Sequence, residues 1–111
     1  MKVKTRALSF KAVHFLNMVL LHSSKKADIY YVNHSPRQIK LVVYTLKPYE
    51  VIVSGYGNEY DVANAVGKRF RLHPRTISTL AEKLMPILFM GRKPKPFFKA
   101  LREEGKKYFG V

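Results

Sequence analysis

Residues 28–57 read DIYYVNHSPRQIKLVVYTLKPYEVIVSGYG, three β-rich runs separated by turn-forming residues. The runs are Ile29–Val32, Ile39–Leu46 and Val51–Tyr56. Asn33-His34-Ser35-Pro36-Arg37 and Lys47-Pro48-Tyr49-Glu50 lie between them and hold the residue types that tight turns favour. Connections this short join antiparallel neighbours, so the pattern predicts a three-stranded meander. Side chains alternate along a strand. Ile39, Leu41 and Val43 therefore share one face of the middle strand, and Lys40, Val42 and Tyr44 share the other. In the third strand Val51 and Val53 oppose Ile52, Ser54 and Tyr56. One face is aliphatic and the other mixes tyrosine with lysine.

Upstream, residues 1–7 form a short basic arm. Ser9 is a suitable N-cap, and a helix is expected from there to about His22. Its apolar residues (Phe10, Val13, Phe15, Leu16, Met18, Val19, Leu20 and Leu21) exceed one stripe. Such a helix needs cover on two sides, from the sheet and from a second subunit, which predicts a homo-oligomer. Downstream, Asn58 followed by Asp61 marks a helix start after Gly55-Tyr56-Gly57, with the helix running from about Glu59 to Arg69. A turn at Leu72-His73-Pro74 leads to a second helix, Arg75–Met85, striped by Ile77, Leu80, Ala81 and Leu84. Pro86 is expected to kink or end it. A basic linker, Gly91–Pro96, precedes a final helix from Phe97 to Tyr108. The expected fold is α+β: an N-terminal helix, a three-stranded antiparallel meander, then three helices packed on the sheet.

The chain has 111 residues with 21 Lys+Arg against 7 Asp+Glu, a formal net charge of +14. That length fits one domain, here 1–111. A hydrophobic fraction of 47% excludes a disordered basic tail. A field of one sign this large points to a polyanionic partner, nucleic acid first. With no cysteine, disulfides, thiol chemistry and Cys-ligated zinc are ruled out. The stretch Leu8–Leu21 is interrupted by polar residues and too short to span a bilayer, and it lacks the uninterrupted apolar core and small-residue cleavage site of a secretory signal. A soluble, cytoplasmic protein with no membrane partner is expected.

Three local patterns could carry chemistry. Glu59–Leu84 scans as a helix-turn-helix, with Ala63 and Gly67 four residues apart and Arg75-Thr76-Ile77-Ser78-Thr79 as a recognition segment. His73 stands where that motif wants an aliphatic residue, and Lys68-Arg69-Phe70-Arg71 lengthens the turn. Gly55-x-Gly57 lacks the third glycine of a dinucleotide fingerprint and reads as a plain turn. The acids and histidines show no metal-ligand or catalytic spacing, so no catalytic residue, metal or cofactor is assigned. A metal-dependent nuclease is the one enzymatic alternative.

The strongest signal is the interleaving of cations with rings, in Lys68-Arg69-Phe70-Arg71, in Arg92–Lys99 and on the Lys40/Tyr44/Tyr56 face. Lys and Arg neutralise phosphates and release counterions. Aromatic rings stack on unpaired bases whatever their identity. The candidates for phosphate contact are Lys40, Lys68, Arg69, Arg71, Arg75, Arg92, Lys93 and Lys95. Those for stacking are Tyr31, Tyr44, Tyr56 and Phe70.

This basic, aromatic-rich succession of helix, meander and helical cover resembles the DNA-binding domain of the ThermoDBP-related proteins of hyperthermophilic archaea. The resemblance implies single-stranded DNA binding, as an oligomer, without an OB-fold. It is architectural and compositional, and no motif carries a binding residue across. The expected function is sequence-tolerant binding of single-stranded nucleic acid, DNA before RNA. The alternatives are a helix-turn-helix protein on duplex DNA and a ribosomal or other structured-RNA-binding protein.

Overall fold

The computed structural model describes residues 1–92. In chain order the elements are β1 (Lys2–Ala7), α1 (Phe10–His14), β2 (Val19–Ser23), β3 (Asp28–Ser35), β4 (Gln38–Tyr44), β5 (Pro48–Ser54), α2 (Glu59–Phe70) and α3 (Pro74–Phe89). The strands form one antiparallel sheet in the order β1-β5-β4-β3-β2.

The meander of β3, β4 and β5 is the centre of this sheet, but the three-stranded fold expected from sequence is wrong. Two further strands flank it. Lys2–Ala7 is not an arm: it pairs along its whole length with β5, from Lys2 opposite Ser54 to Ala7 opposite Tyr49. The N-terminal helix is one short turn. Ser9 caps it as expected, its Oγ accepting from the Ala12 N–H at 3.0 Å, but it ends at His14. Val19–Ser23 becomes β2 and pairs with β3. A short apolar run has no period that separates helix from buried strand, and the free edge of β3 decided the matter. The long helix with more than one apolar stripe therefore does not form, which removes one ground for expecting an oligomer. The final helix, Phe97–Tyr108, lies outside the described residues.

Smaller differences follow from pairing and packing. The β3–β4 turn is only Pro36-Arg37, because Asn33, His34 and Ser35 pair with β4. Asn33 does so beyond a bulge that follows Tyr31. α2 begins as expected, in a capping box: Asn58 Oδ1 accepts from the Asp61 N–H at 2.9 Å and Asp61 Oδ2 from the Asn58 N–H at 3.3 Å. α3 runs through Pro86 to Phe89. A proline inside a helix removes a hydrogen bond at a cost of about 3 kcal/mol. Here Leu84 and Ile87, buried on either side of Pro86, hold the helix against the sheet.

α2 and α3 cover one face of the sheet. Ile29, Ile39, Leu41, Val43, Val51 and Val53 meet Val62, Ala63, Val66, Leu80, Ala81, Leu84 and Ile87 in a single core. Each of the Ile, Leu and Val side chains contributes roughly 1.5–3 kcal/mol on burial. Leu21, beside a bulge in β2, joins the same core. On the opposite face, the chain between β1 and β2 passes from one sheet edge to the other. There Phe10 packs on Tyr44, ring centroids 6.1 Å apart, and Val42 is fully buried. The β1 side of that face carries Lys2, Lys4, Arg6, Lys40 and Glu50. No helix among the described residues is long and apolar enough to cross a membrane.

Candidate nucleic-acid interface

The last turn of α2 carries Lys68 and Arg69, both exposed. α2 continues through Phe70, so the connection to α3 is only Arg71-Leu72-His73, shorter than the sequence implied. Leu72 is buried and ties this corner to the core. Its N–H donates to the Gly67 carbonyl at 2.9 Å. Gly67 itself is needed where α2 and α3 cross, because a Cβ there would overlap the side chain of Ile77.

Arg71 holds the left-handed cap, φ 53° and ψ 51°. That conformation is easy for glycine and costs other residues roughly 1–2 kcal/mol. His73 caps α3, its Nδ1 accepting from the Arg75 N–H at 3.0 Å, which places a neutral ring's proton on Nε2. Arg75 follows in the first turn of α3, which contains no acidic residue. A cation there opposes the positive end of the helix dipole. Lys26, from the β2–β3 turn, donates through Nζ to the Arg71 carbonyl. Lys26, Lys68, Arg69, Arg71 and Arg75 thus meet at one exposed corner. The ion pairs among the described residues are at Glu50, on the other side of the sheet, and none involves these five cations.

Rings stand beside these charges. Phe70 is half-buried, its centroid 5.7 Å from that of Tyr49, and the Arg69 guanidinium lies 5.6 Å from the Phe70 centroid. The structure therefore brings together five of the expected residues, Lys68, Arg69, Phe70, Arg71 and Arg75. It adds Lys26 and Tyr49, which no local pattern links to the corner: Tyr49 sits in the Lys47–Glu50 separator, and Lys26 is 45 residues from Arg71.

The remaining candidates lie elsewhere. Tyr31 and Tyr56 pack against the core near the β3–β4 turn, at the far end of α2, a helix of roughly 18 Å at 1.5 Å per residue. The Tyr31 hydroxyl and His34 Nδ1 are hydrogen-bonded at 2.5 Å, and the Tyr56 hydroxyl donates to the Ser35 carbonyl at 3.3 Å. Burial raises the pKa of both tyrosines, and Tyr56 adds to the rise at Tyr31. Tyr56 leaves the face of Lys40 because β5 ends at Ser54 and Gly55, at φ 72°, redirects the chain. Lys40 and Tyr44 do share a face, the one opposite α2 and α3, where Tyr44 is covered by Phe10. Arg92 is exposed just beyond α3. Lys93 and Lys95 lie outside the described residues.

Among the described residues, no group of three or more His, Cys, Asp or Glu is gathered as a metal site would require. Comparison with family models, curated proteins and solved structures found no match.

Proposed function

We propose that this protein binds single-stranded nucleic acid, DNA before RNA, with little sequence preference and without catalysing a reaction on it. One observation carries this reading. Two arginines at the α2–α3 corner stand where local structure disfavours them, Arg71 in a left-handed cap and Arg75 against a helix dipole. Backbone strain like that at Arg71 persists at functional positions when the surrounding fold holds it in place. Around them, Lys26, Lys68 and Arg69 supply positive charge for phosphates. The Phe70 ring, tilted 56° to Tyr49 and flanked by Arg69, offers planar surface to an unpaired base, which every base can use.

The three-residue connection favours a second reading, a helix-turn-helix presenting Arg75, Thr76, Ser78 and Thr79 to the major groove of duplex DNA. Thr79 Oγ1 already donates to the Arg75 carbonyl at 2.9 Å, which reduces what that helix offers to base edges.

Competition between single- and double-stranded oligonucleotides of one sequence, over a salt series, separates the two. The first reading expects preference for the single strand. It also expects Lys68→Ala with Arg75→Ala to flatten the salt dependence by about 0.7 for each phosphate no longer neutralised. Preference for the duplex at a defined site would replace it with the second.

A further inference from the structure

The sheet face turned away from α2 and α3 holds a second concentration of charge that the proposed function does not use. Lys2, Lys4 and Arg6 alternate along β1 with Val3, Thr5 and Ala7, so the three cations share one face. The pairing fixes which face. Lys4 is opposite Ile52 and Arg6 is opposite Glu50 on β5, while Lys40 on β4 is opposite Ile52 from the other side. Lys4, Ile52 and Lys40 therefore form one row across three strands. Arg6, Glu50 and the buried Val42 form the next. An open groove of about 610 Å³ runs over these rows, lined by Lys4, Thr5, Arg6, Lys40, Glu50 and Ile52.

Glu50 organises this groove. It is only 5% exposed and the one buried charged residue among those described. Arg6 Nε–H donates to its Oε1 at 3.0 Å and an Arg6 Nη2–H to its Oε2 at 3.4 Å, while Lys40 Nζ lies 3.8 Å from Oε2. This uses one edge of the guanidinium and leaves Nη1 free to donate outward. The Arg6 side chain is 71% exposed. Two of the four cations pair with this carboxylate, Lys2 and Lys4 do not, and the β1 side of the face stays strongly positive. Lysines on an edge strand often serve only to discourage sheet-to-sheet pairing. That role does not account for Lys40, which is two strands in from the edge.

We infer that this face is a phosphate track: Lys2, Lys4 and Arg6, with Lys40 across the groove, hold the backbone of an extended nucleic-acid strand lying along β1. Alternate residues of a strand are about 6.7 Å apart. That step is close to the one between successive phosphates of an extended single strand, so the three side chains meet three consecutive phosphodiesters. Ile52 gives the groove an apolar floor. Glu50 is a positioning residue that keeps Arg6 and Lys40 facing one another across it. The track rests on the reading of this protein as a single-strand binder, and it adds a binding surface remote from the α2–α3 corner.

The test uses the full chain and a fluorescent oligothymidylate, titrated over a salt series. It compares Lys2→Ala with Lys4→Ala, the corner pair Lys68→Ala with Arg75→Ala, all four together, and Lys47→Ala as an exposed control in the β4–β5 turn. Lys2 and Lys4 are exposed, so their removal leaves the fold intact, which thermal unfolding checks. The Lys2/Lys4 variant is expected to lower the salt slope by about 1.4, from about 0.7 per phosphate, additively with the corner pair. An unchanged slope in the Lys2/Lys4 variant, with a reduced slope in the corner variant, would overturn the track and leave the function standing. No salt-dependent binding by the unmodified chain would overturn both. Glu50→Gln keeps the shape of the side chain and removes one negative charge. It is expected to weaken binding, because Arg6 and Lys40 lose their anchor. Tighter binding would show that Glu50 merely opposes the cations and would remove its positioning role.

Discussion

The side chain of Ile77 on α3 fills the space that a Cβ on Gly67 of α2 would occupy. This packing sets how closely the two helices cross, and with it where Arg71 and Arg75 stand. Gly67→Ala gains about 1 kcal/mol of helix propensity. It also forces apart a packed crossing, where overpacking costs about 1–3 kcal/mol. A net loss of about 1 kcal/mol in urea unfolding is expected. Adding Ile77→Val, which removes Cδ1 but keeps Cγ1, should restore only part of it; full stability in the single variant would show that Ile77 yields freely.

Glu50 depends on a residue 44 positions away, Arg6. Arg6→Ala leaves the buried carboxylate with Lys40 alone at 3.8 Å. Breaking a fully buried pair costs about 3–5 kcal/mol, but Arg6 is mostly exposed and its pairing is screened, so about 1–2 kcal/mol is expected. Lys2→Ala on the same strand should fall within about 0.5 kcal/mol of the parent. Equal effects from the two substitutions in chemical denaturation would contradict the special role of the Arg6–Glu50 pair.

Three tyrosines make the fold sensitive to alkali. Burial raises Tyr30, Tyr31 and Tyr56 above the ordinary value of 10.0, with Asp28 and Tyr44 adding to the rise at Tyr30. The unfolded chain loses these protons first as pH rises, so the folded state binds more protons and stability falls. Their contribution is complete below pH 10 and is lost as pH climbs through the raised values. Phenolate absorbance should show a late-titrating subset of the seven tyrosines, and the unfolding midpoint should drop over that same range. Midpoints independent of alkaline pH would refute this.

Phe70 joins the helix corner to the sheet through Tyr49. If a base stacks here, Phe70→Leu retains an apolar side chain but removes the planar surface. Loss of about 1–3 kcal/mol in single-strand affinity is expected, with little change in salt slope. Fluorescence anisotropy on one oligonucleotide at several salt concentrations measures both quantities. A changed slope with unchanged affinity at low salt would assign the site to phosphates alone.

Much of the candidate interface was legible from local pattern. Lys68-Arg69-Phe70-Arg71 interleaves charge and ring within one turn of helix, so chain neighbours became neighbours in space. The sheet face was legible only in part. Alternation placed Lys40 and Tyr44 together, yet Lys2-Val3-Lys4-Thr5-Arg6 has the same period and reads, in isolation, as a basic arm. A strand with three cations on one side looks like a strand only once β5 is there to pair with it. Tyr56 went to the wrong face because alternation was carried past Gly55, where the strand had already ended.

The amino-acid sequence by itself determined the excess of positive charge, the β3–β4–β5 meander, the capping box of α2 and the apolar stripe of α3. Each depends on residues a few positions apart, whose periodicity and capping chemistry act locally. Tertiary structure decided the two edge strands, the burial of Glu50 and the division of the cations between two sides of one sheet. Those outcomes rest on pairings between distant segments. β1 meets β5 across more than forty residues, and a short run such as Val19–Leu21 becomes strand or helix according to the edge it finds.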